Sequence, residues 1–168
     1  MKNISKKDLI DAIENSFKAK LTLSSSINQI NKAIKILKYC LSKKGKIFFC
    51  GNGGSAADAQ HLTAELLVRL RPKINRKPLP AICLSMDTST LTACSNDYSF
   101  DEVFSRPFEA LCHKNDVLIT ISTSGNSIST PVFRRGADII NTINKTSITS
   151  TNGVTFISDI NLFFVFIL

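Results

Sequence analysis

Two polar loops and one pair of side chains hold the chemistry that this sequence can offer. Gly51-Asn52-Gly53-Gly54-Ser55 separates an apolar run from a helical pattern. Glycines let the backbone approach a ligand closely. Free N–H groups and the helix dipole at such a start favour an anion. The loop reads as a cradle for phosphate or sugar hydroxyls, with Asn52, Gly53, Gly54 and Ser55 as its contacts; the plainer reading is a tight turn. Ser122-Thr123-Ser124-Gly125-Asn126-Ser127 repeats the arrangement after a later apolar run. The hydroxyls of Ser122, Thr123, Ser124 and Ser127 suit phosphate oxygens. His61 and Glu65 lie four apart on the helix that follows the first loop, on one face. They can share a divalent metal or move protons. Spacing alone favours an ordinary surface ion pair, and the loops nearby shift the balance toward function.

A rival reading uses the same first loop. Gly51, Gly53 and Ala56 satisfy G-x-G-x-x-A, and Asp87 stands where a ribose-binding acid would. That dinucleotide reading gives the second loop no role. No Gly-Lys-Ser/Thr follows the glycines, so this is not a Walker phosphate loop. Asn96-Asp97 reads as a turn or as polar ligand contacts, with spacing favouring the turn. His113 reads as a helix C-terminal residue rather than a ligand.

Alternating elements must position these groups. Leu9, Ile10, Ile13, Phe17 and Leu21 recur at helical spacing, as do Ile30, Ala33, Ile34, Leu37 and Leu41. They predict helices over about 7–22 and 26–42, the second stopped by Gly45. KIFFC at 46–50 predicts a buried strand. Ser55 and Asp58 resemble a capping box opening a helix that reaches about Arg71. Further strands are expected at 80–85 and 116–121, and helices at 88–94 and 100–112. Beyond Ile128 the pattern weakens: 137–148 suggests a helix, and 154–158 and 162–168 suggest strands. Strands alternating with helices predict an α/β fold, a three-layer, doubly wound parallel sheet preceded by N-terminal helices. Both polar loops would then leave the carboxyl edge of the strands and face one crevice.

Composition narrows the partners. The 168 residues suit one domain: helices over 1–42, a core over 43–128 and a divergent end over 129–168. A hydrophobic content of 43% supplies a core, and a net charge of +8 favours anionic partners. No nucleic-acid motif accompanies the basic residues, so nucleic acid is not expected. No segment approaches the ~18 apolar residues of a membrane span. The start Met1–Lys7 lacks a signal-peptide pattern. The five cysteines form no CxxC pair, which fits reduced, buried thiols and a cytoplasmic location.

FFCGNGGSAADAQHLTAEL at 48–66, Met86–Thr90, Ser95–Tyr98 and Ile121–Ser127 closely resemble the phosphoheptose isomerases. The resemblance runs over roughly 26–128. It implies a SIS-domain fold with a five-stranded parallel sheet of flavodoxin-like type, a homotetramer, and conversion of sedoheptulose 7-phosphate to D-glycero-D-manno-heptose 7-phosphate. That reaction feeds bacterial surface polysaccharide, lipopolysaccharide or capsule. The resemblance implies substrate contacts for Asn52, Gly53, Gly54, Asn96, Asp97, Ser122, Thr123, Ser124 and Ser127. It implies zinc on His61 and Glu65, with Glu65 also the proton-transfer base. The family's closing helix, whose Gln and His complete the zinc site, has no counterpart after Ile128, and no His follows His113. The zinc ligand set is therefore expected to be incomplete. A shifted reading frame is one account, which translating the other frames past codon 128 would test. The alternative is a non-catalytic SIS protein that senses a sugar phosphate or regulates replication.

Overall fold

Alternating apolar side chains on three short strands build the centre of the molecule. The computed structural model describes residues 3–122, 148–151 and 154–158. The described elements are α1 (Lys6–Leu21), α2 (Ile27–Ser42), β1 (Ile47–Gly51), α3 (Gly54–Leu67), β2 (Ala81–Cys83), α4 (Thr88–Asp97), α5 (Ser105–Leu111), β3 (Val117–Ile121), β4 (Ile148–Thr151) and β5 (Val154–Ser158). The strands form one sheet in the order β2-β1-β3-β5-β4.

Side chains along a strand point alternately to its two faces. Ile47, Phe49, Val117, Ile119 and Ile121 pack on one face against Ala33, Leu37 and Cys40 of α2 and Ala59, Leu62 and Leu66 of α3. Phe48, Cys50 and Leu118 pack on the other against Cys94 of α4 and Phe104 and Phe108 near α5. Phe48 meets Phe108 edge to face, with ring centroids 5.1 Å apart. The result is the expected three-layer α/β sandwich. Strands buried on both faces read as unbroken apolar runs, which is why they were visible in the sequence.

The amino ends of β1 and β3 are tied by one carboxylate. Asp116 is buried and accepts from the Lys46 backbone N–H (2.7 Å), the His113 N–H (2.8 Å) and the Lys46 ammonium (2.8 Å). Burial pushes this carboxyl up, but the bonds and charge from Lys46 and the His113 N–H outweigh it. The net effect holds Asp116 below its ordinary value.

Several expectations need correction. The sheet is not wholly parallel: β4 runs antiparallel to β5 at one edge, and Ile148, placed by sequence at a helix end, opens that strand. The helix over 100–112 is broken into a 3-10 turn at Phe100–Glu102 and α5. Pro107 explains the break. It has no N–H to give Val103, whereas in the first turn of α5 none is needed. The left-handed residue that ends α2 is Lys44 (φ 61), not Gly45; the Gly45 N–H bonds Cys40 O at 2.9 Å. Helix α3 stops at Leu67 rather than Arg71. A capping box does form, but at Ser5 and Asp8, which exchange backbone N–H bonds of 2.9 and 3.1 Å at the start of α1. The proposed helix over 137–147 and strand over 162–168 lie outside the described residues.

All five cysteines are free. Burial is the leading influence on each and raises its pKa, to about 11 for Cys40, where the Asp116 charge adds to it. None is prone to form a thiolate nucleophile. Among the described residues, no helix is long and apolar enough to cross a membrane.

Replacing Asp116 with Ala leaves two backbone N–H groups and the Lys46 ammonium without their acceptor. The expected cost is about 3 kcal/mol at pH 7, read from urea unfolding. Because the folded value is depressed, the carboxylate's contribution is fully present above the unfolded value and is lost as pH falls through the folded one. The gap between wild type and variant should therefore shrink in acid, below the ordinary aspartate range.

Candidate active site

The sheet topology chooses the crevice. From β1 the chain passes through α3 to β2 on one side, while β3 has β5 on its other side. The strand order thus reverses between β1 and β3, and ligands of open α/β sheets bind outside the carboxyl ends at such a point. Gly51 is in register with Ile121. Asn52 and Ser122 follow those two residues, so the first residues of both polar loops emerge side by side, each half-buried. Thr123, Ser124 and Ser127 lie outside the described residues.

The first loop is shaped by its glycines. A Cβ on Gly51 would sit 2.6 Å from the carbonyl oxygen of Ser55, because the first turn of α3 lies directly on the strand end. Gly53 has φ 56 and ψ −123, a conformation that L side chains rarely adopt, and it is the N-cap of α3. Among the described residues, no side chain caps this helix. The anticipated capping box of Ser55 and Asp58 is not formed: Ser55 is buried under Gly51, and its N–H bonds Asn52 O at 3.0 Å. Ser55 is thereby a packing residue of the loop. Gly53 and Gly54 are exposed at the positive end of a 14-residue helix. From the turn after β2, the Ser85 hydroxyl accepts from Gly51 N–H (3.3 Å) and donates to Gly51 O (2.9 Å), which pins the loop's base.

His61 and Glu65 do share one face of α3. His61 Nε2 stands 3.6 Å from Glu65 Oε1. The other carboxylate oxygen, Glu65 Oε2, is buried and has no hydrogen-bond partner among the described residues. An imidazole nitrogen beside an unsatisfied carboxylate oxygen is a donor set that suits zinc. Among the described residues no third His, Cys, Asp or Glu joins them. Glu65 lies far from the loop, about 16 Å along the helix axis from Gly54 at 1.5 Å per residue. One chain's described residues therefore form two clusters, the paired loops and the His61–Glu65 pair.

The remaining candidates fall elsewhere. Asn96 and Asp97 are exposed in the last turn of α4 rather than in a turn between elements, with Asn96 Nδ2 donating to Asp97 Oδ1 at 2.8 Å. The next residue, Tyr98, carries the Arg106 guanidinium 3.8 Å above its ring. Asp87 is the N-cap of α4: its carboxylate accepts from the Ser89 and Thr90 N–H groups and from the Thr90 hydroxyl. An acid spent on capping is poorly placed to hold a ribose, which weakens the dinucleotide reading. His113 follows the end of α5 and is exposed, in line with its reading as a helix-end residue.

Residues 11–132 match the family model for the SIS domain. The chain belongs to the SIS domain family. Over 118 residues this SIS domain is 52% identical to a phosphoheptose isomerase of Shewanella halifaxensis (strain HAW-EB4), covering 70% of this chain and 59% of that one. Another, from Shewanella frigidimarina (strain NCIMB 400), is 51% identical over the same shares. The chain thus spans about three fifths of the length of these relatives. Among solved structures, phosphoheptose isomerase GmhA from Neisseria gonorrhoeae aligns with a TM-score of 0.66 at 42% identity, over 74% of this chain and 64% of that one. A phosphoheptose isomerase from Francisella tularensis aligns with a TM-score of 0.68 at 38% identity, over 75% and 66%.

Two positions in this SIS domain gained a role only from the structure. Ser85 was read as the end of the strand expected at 80–85, and Arg76 only as one of the basic residues. A hydroxyl two residues past a buried strand is the faint signal for Ser85. Nothing in the sequence separates Arg76 from its basic neighbours.

Substituting the loop glycines should order their roles. Gly51→Ala must push the first turn of α3 away and should cost about 3 kcal/mol. Gly53→Ala strains the backbone without a clash, for about 1–2 kcal/mol. Gly54→Ala meets nothing and should stay within about 0.5 kcal/mol of wild type. Thermal or urea unfolding of the three variants reads this order.

Proposed function

We propose that this SIS domain is a subunit of a phosphoheptose isomerase, interconverting sedoheptulose 7-phosphate and D-glycero-D-manno-heptose 7-phosphate for bacterial surface polysaccharide. The observation that carries the proposal is Glu65, whose buried Oε2 lacks a partner while Oε1 faces His61. An aldose–ketose shift removes a proton from the carbon beside a carbonyl and returns one to the neighbouring carbon, through an enediol. A carboxylate with a free, buried oxygen suits both transfers, and Glu65 is that base. The exposed N–H end of α3 at Gly53 and Gly54, with Asn52 and the loop opened by Ser122, holds the phosphate and hydroxyls. Thr123, Ser124 and Ser127 extend that loop by sequence, and Asn96 and Asp97 supply further polar contacts. Zinc, held by His61 and Glu65 with ligands from outside the described residues, would stabilise charge developing on the sugar oxygens.

The separation between loops and the His61–Glu65 pair favours a site completed by a second copy. Helix α1 supplies a reason for copies to meet. Leu9, Ile10, Ile13, Phe17 and Leu21 form a stripe on it, and all are exposed. An unburied stripe of this size marks an association surface, here assigned to a homotetramer. The free, buried thiols suit a reducing cytoplasm.

Turnover of sedoheptulose 7-phosphate with added zinc, beside Glu65→Gln, tests the activity. Wild type should isomerise the sugar, and the variant should lose about 10²-fold or more in kcat. A folded wild-type chain without turnover, or a fully active variant, refutes the reading. For the assembly, Phe17→Asp should shift sedimentation from an oligomer toward monomer; a wild-type monomer refutes the tetramer.

A further inference from the structure

We infer that Arg76 is a positioning residue for Glu65, acting as a clamp on the last turn of α3. This rests on the isomerase reading, in which Glu65 moves the proton. The last carbonyls of a helix have no intrahelical partner. In α3 the Ala64 carbonyl is taken by Val68 N–H at 2.9 Å. The next two go to one guanidinium, whose Nη2 donates to Glu65 O and whose Nη1 donates to Leu66 O at 2.9 Å. The same Nη1 donates to Lys77 O at 3.1 Å, and Leu79 N–H reaches Leu66 O at 3.0 Å. The loop from 72 to 79 is thereby folded back under the helix end. The cation also sits at the negative pole of the dipole.

Glu65 is within the final turn, three residues from the cap at Val68. Final turns fray. A carboxylate whose Oε2 is buried without a partner returns to water as soon as its backbone is released. Arg76 binds the backbone of the very residue that must not move, and its planar fork bridges two adjacent carbonyls where a lysine reaches one.

The test uses Arg76→Gln and Arg76→Lys in the full chain, with kcat and KM on sedoheptulose 7-phosphate and peptide-level hydrogen exchange. In Arg76→Gln, kcat should fall about tenfold with KM within about twofold. Exchange over 62–68 should accelerate about tenfold while that over β1 stays unchanged. Arg76→Lys should recover part of both losses. A kcat within about twofold of wild type overturns the inference. So does a kcat loss with faster exchange throughout the chain, which marks a merely structural arginine, or a loss without local opening. If wild type has no turnover, the isomerase reading fails, and exchange alone decides the clamp: selective opening over 62–68 upholds it, and unchanged exchange overturns it.

Discussion

Asp116 joins two strands that are far apart in sequence, and the crevice depends on that join. Its carboxylate takes the Lys46 N–H on one side and the His113 N–H on the other. Both strands therefore start level, and the pairing Ile47↔Val117 runs unbroken to Gly51↔Ile121. A slip of one residue would turn Phe48 and Leu118 onto the wrong face of the sheet. It would also separate Asn52 from Ser122. A buried ion pair is a poor source of net stability. Its use here is to fix register at the amino edge, so that Asn52 and Ser122 emerge side by side at the carboxyl edge.

Helix α3 then carries the chemistry from one end to the other. At its start, Gly51 lets the first turn lie on the strand and Gly53 takes the cap conformation. At its finish, Arg76 takes the carbonyls of Glu65 and Leu66. Between them, Ala59, Leu62 and Leu66 bury one face against the sheet. His61 and Glu65 fall on the other side of that stripe by the helical repeat. One amphipathic helix thus sets the proposed anion-binding end and the proposed acid–base pair in fixed relation.

Legibility in the sequence followed the physics of each element. Strands β1 and β3 were plain because burial on both faces leaves unbroken apolar runs. The strand expected over 154–158 is present at Val154–Ser158. The closeness of His61 and Glu65 was legible because residues four apart share a helix face. The helix boundaries were not. Ser55 has the right chemistry for a cap but lies too close to Gly51, so packing overrode propensity. Pro107 divided a pattern whose apolar spacing looked continuous. Asn96 and Asp97 look like turn formers, yet Asp87 caps α4 firmly enough to carry the helix through them. The antiparallel edge was hidden because pairing direction is a property of two segments, and Ile148–Thr151 alone does not reveal it.

Two features of the chain run against its own stability, and they fall where function is proposed. Buried polar atoms are nearly always bonded, so an unpartnered Glu65 Oε2 is a standing cost. The apolar stripe of α1 is a second one, since it remains in water within a single chain. Each would be relieved by something outside the described residues: a cation or a substrate proton for the carboxylate, another apolar face for the stripe. A sequence that obeys local rules along its sheet and breaks them at these two places puts its strain at the site and at the surface for association. The two costs are also separable, because no residue of α1 belongs to the two described clusters that pack on the sheet. On the proposed assembly, a chain with its stripe uncovered would keep the Asp116 join but lack the copy that completes the site around Glu65.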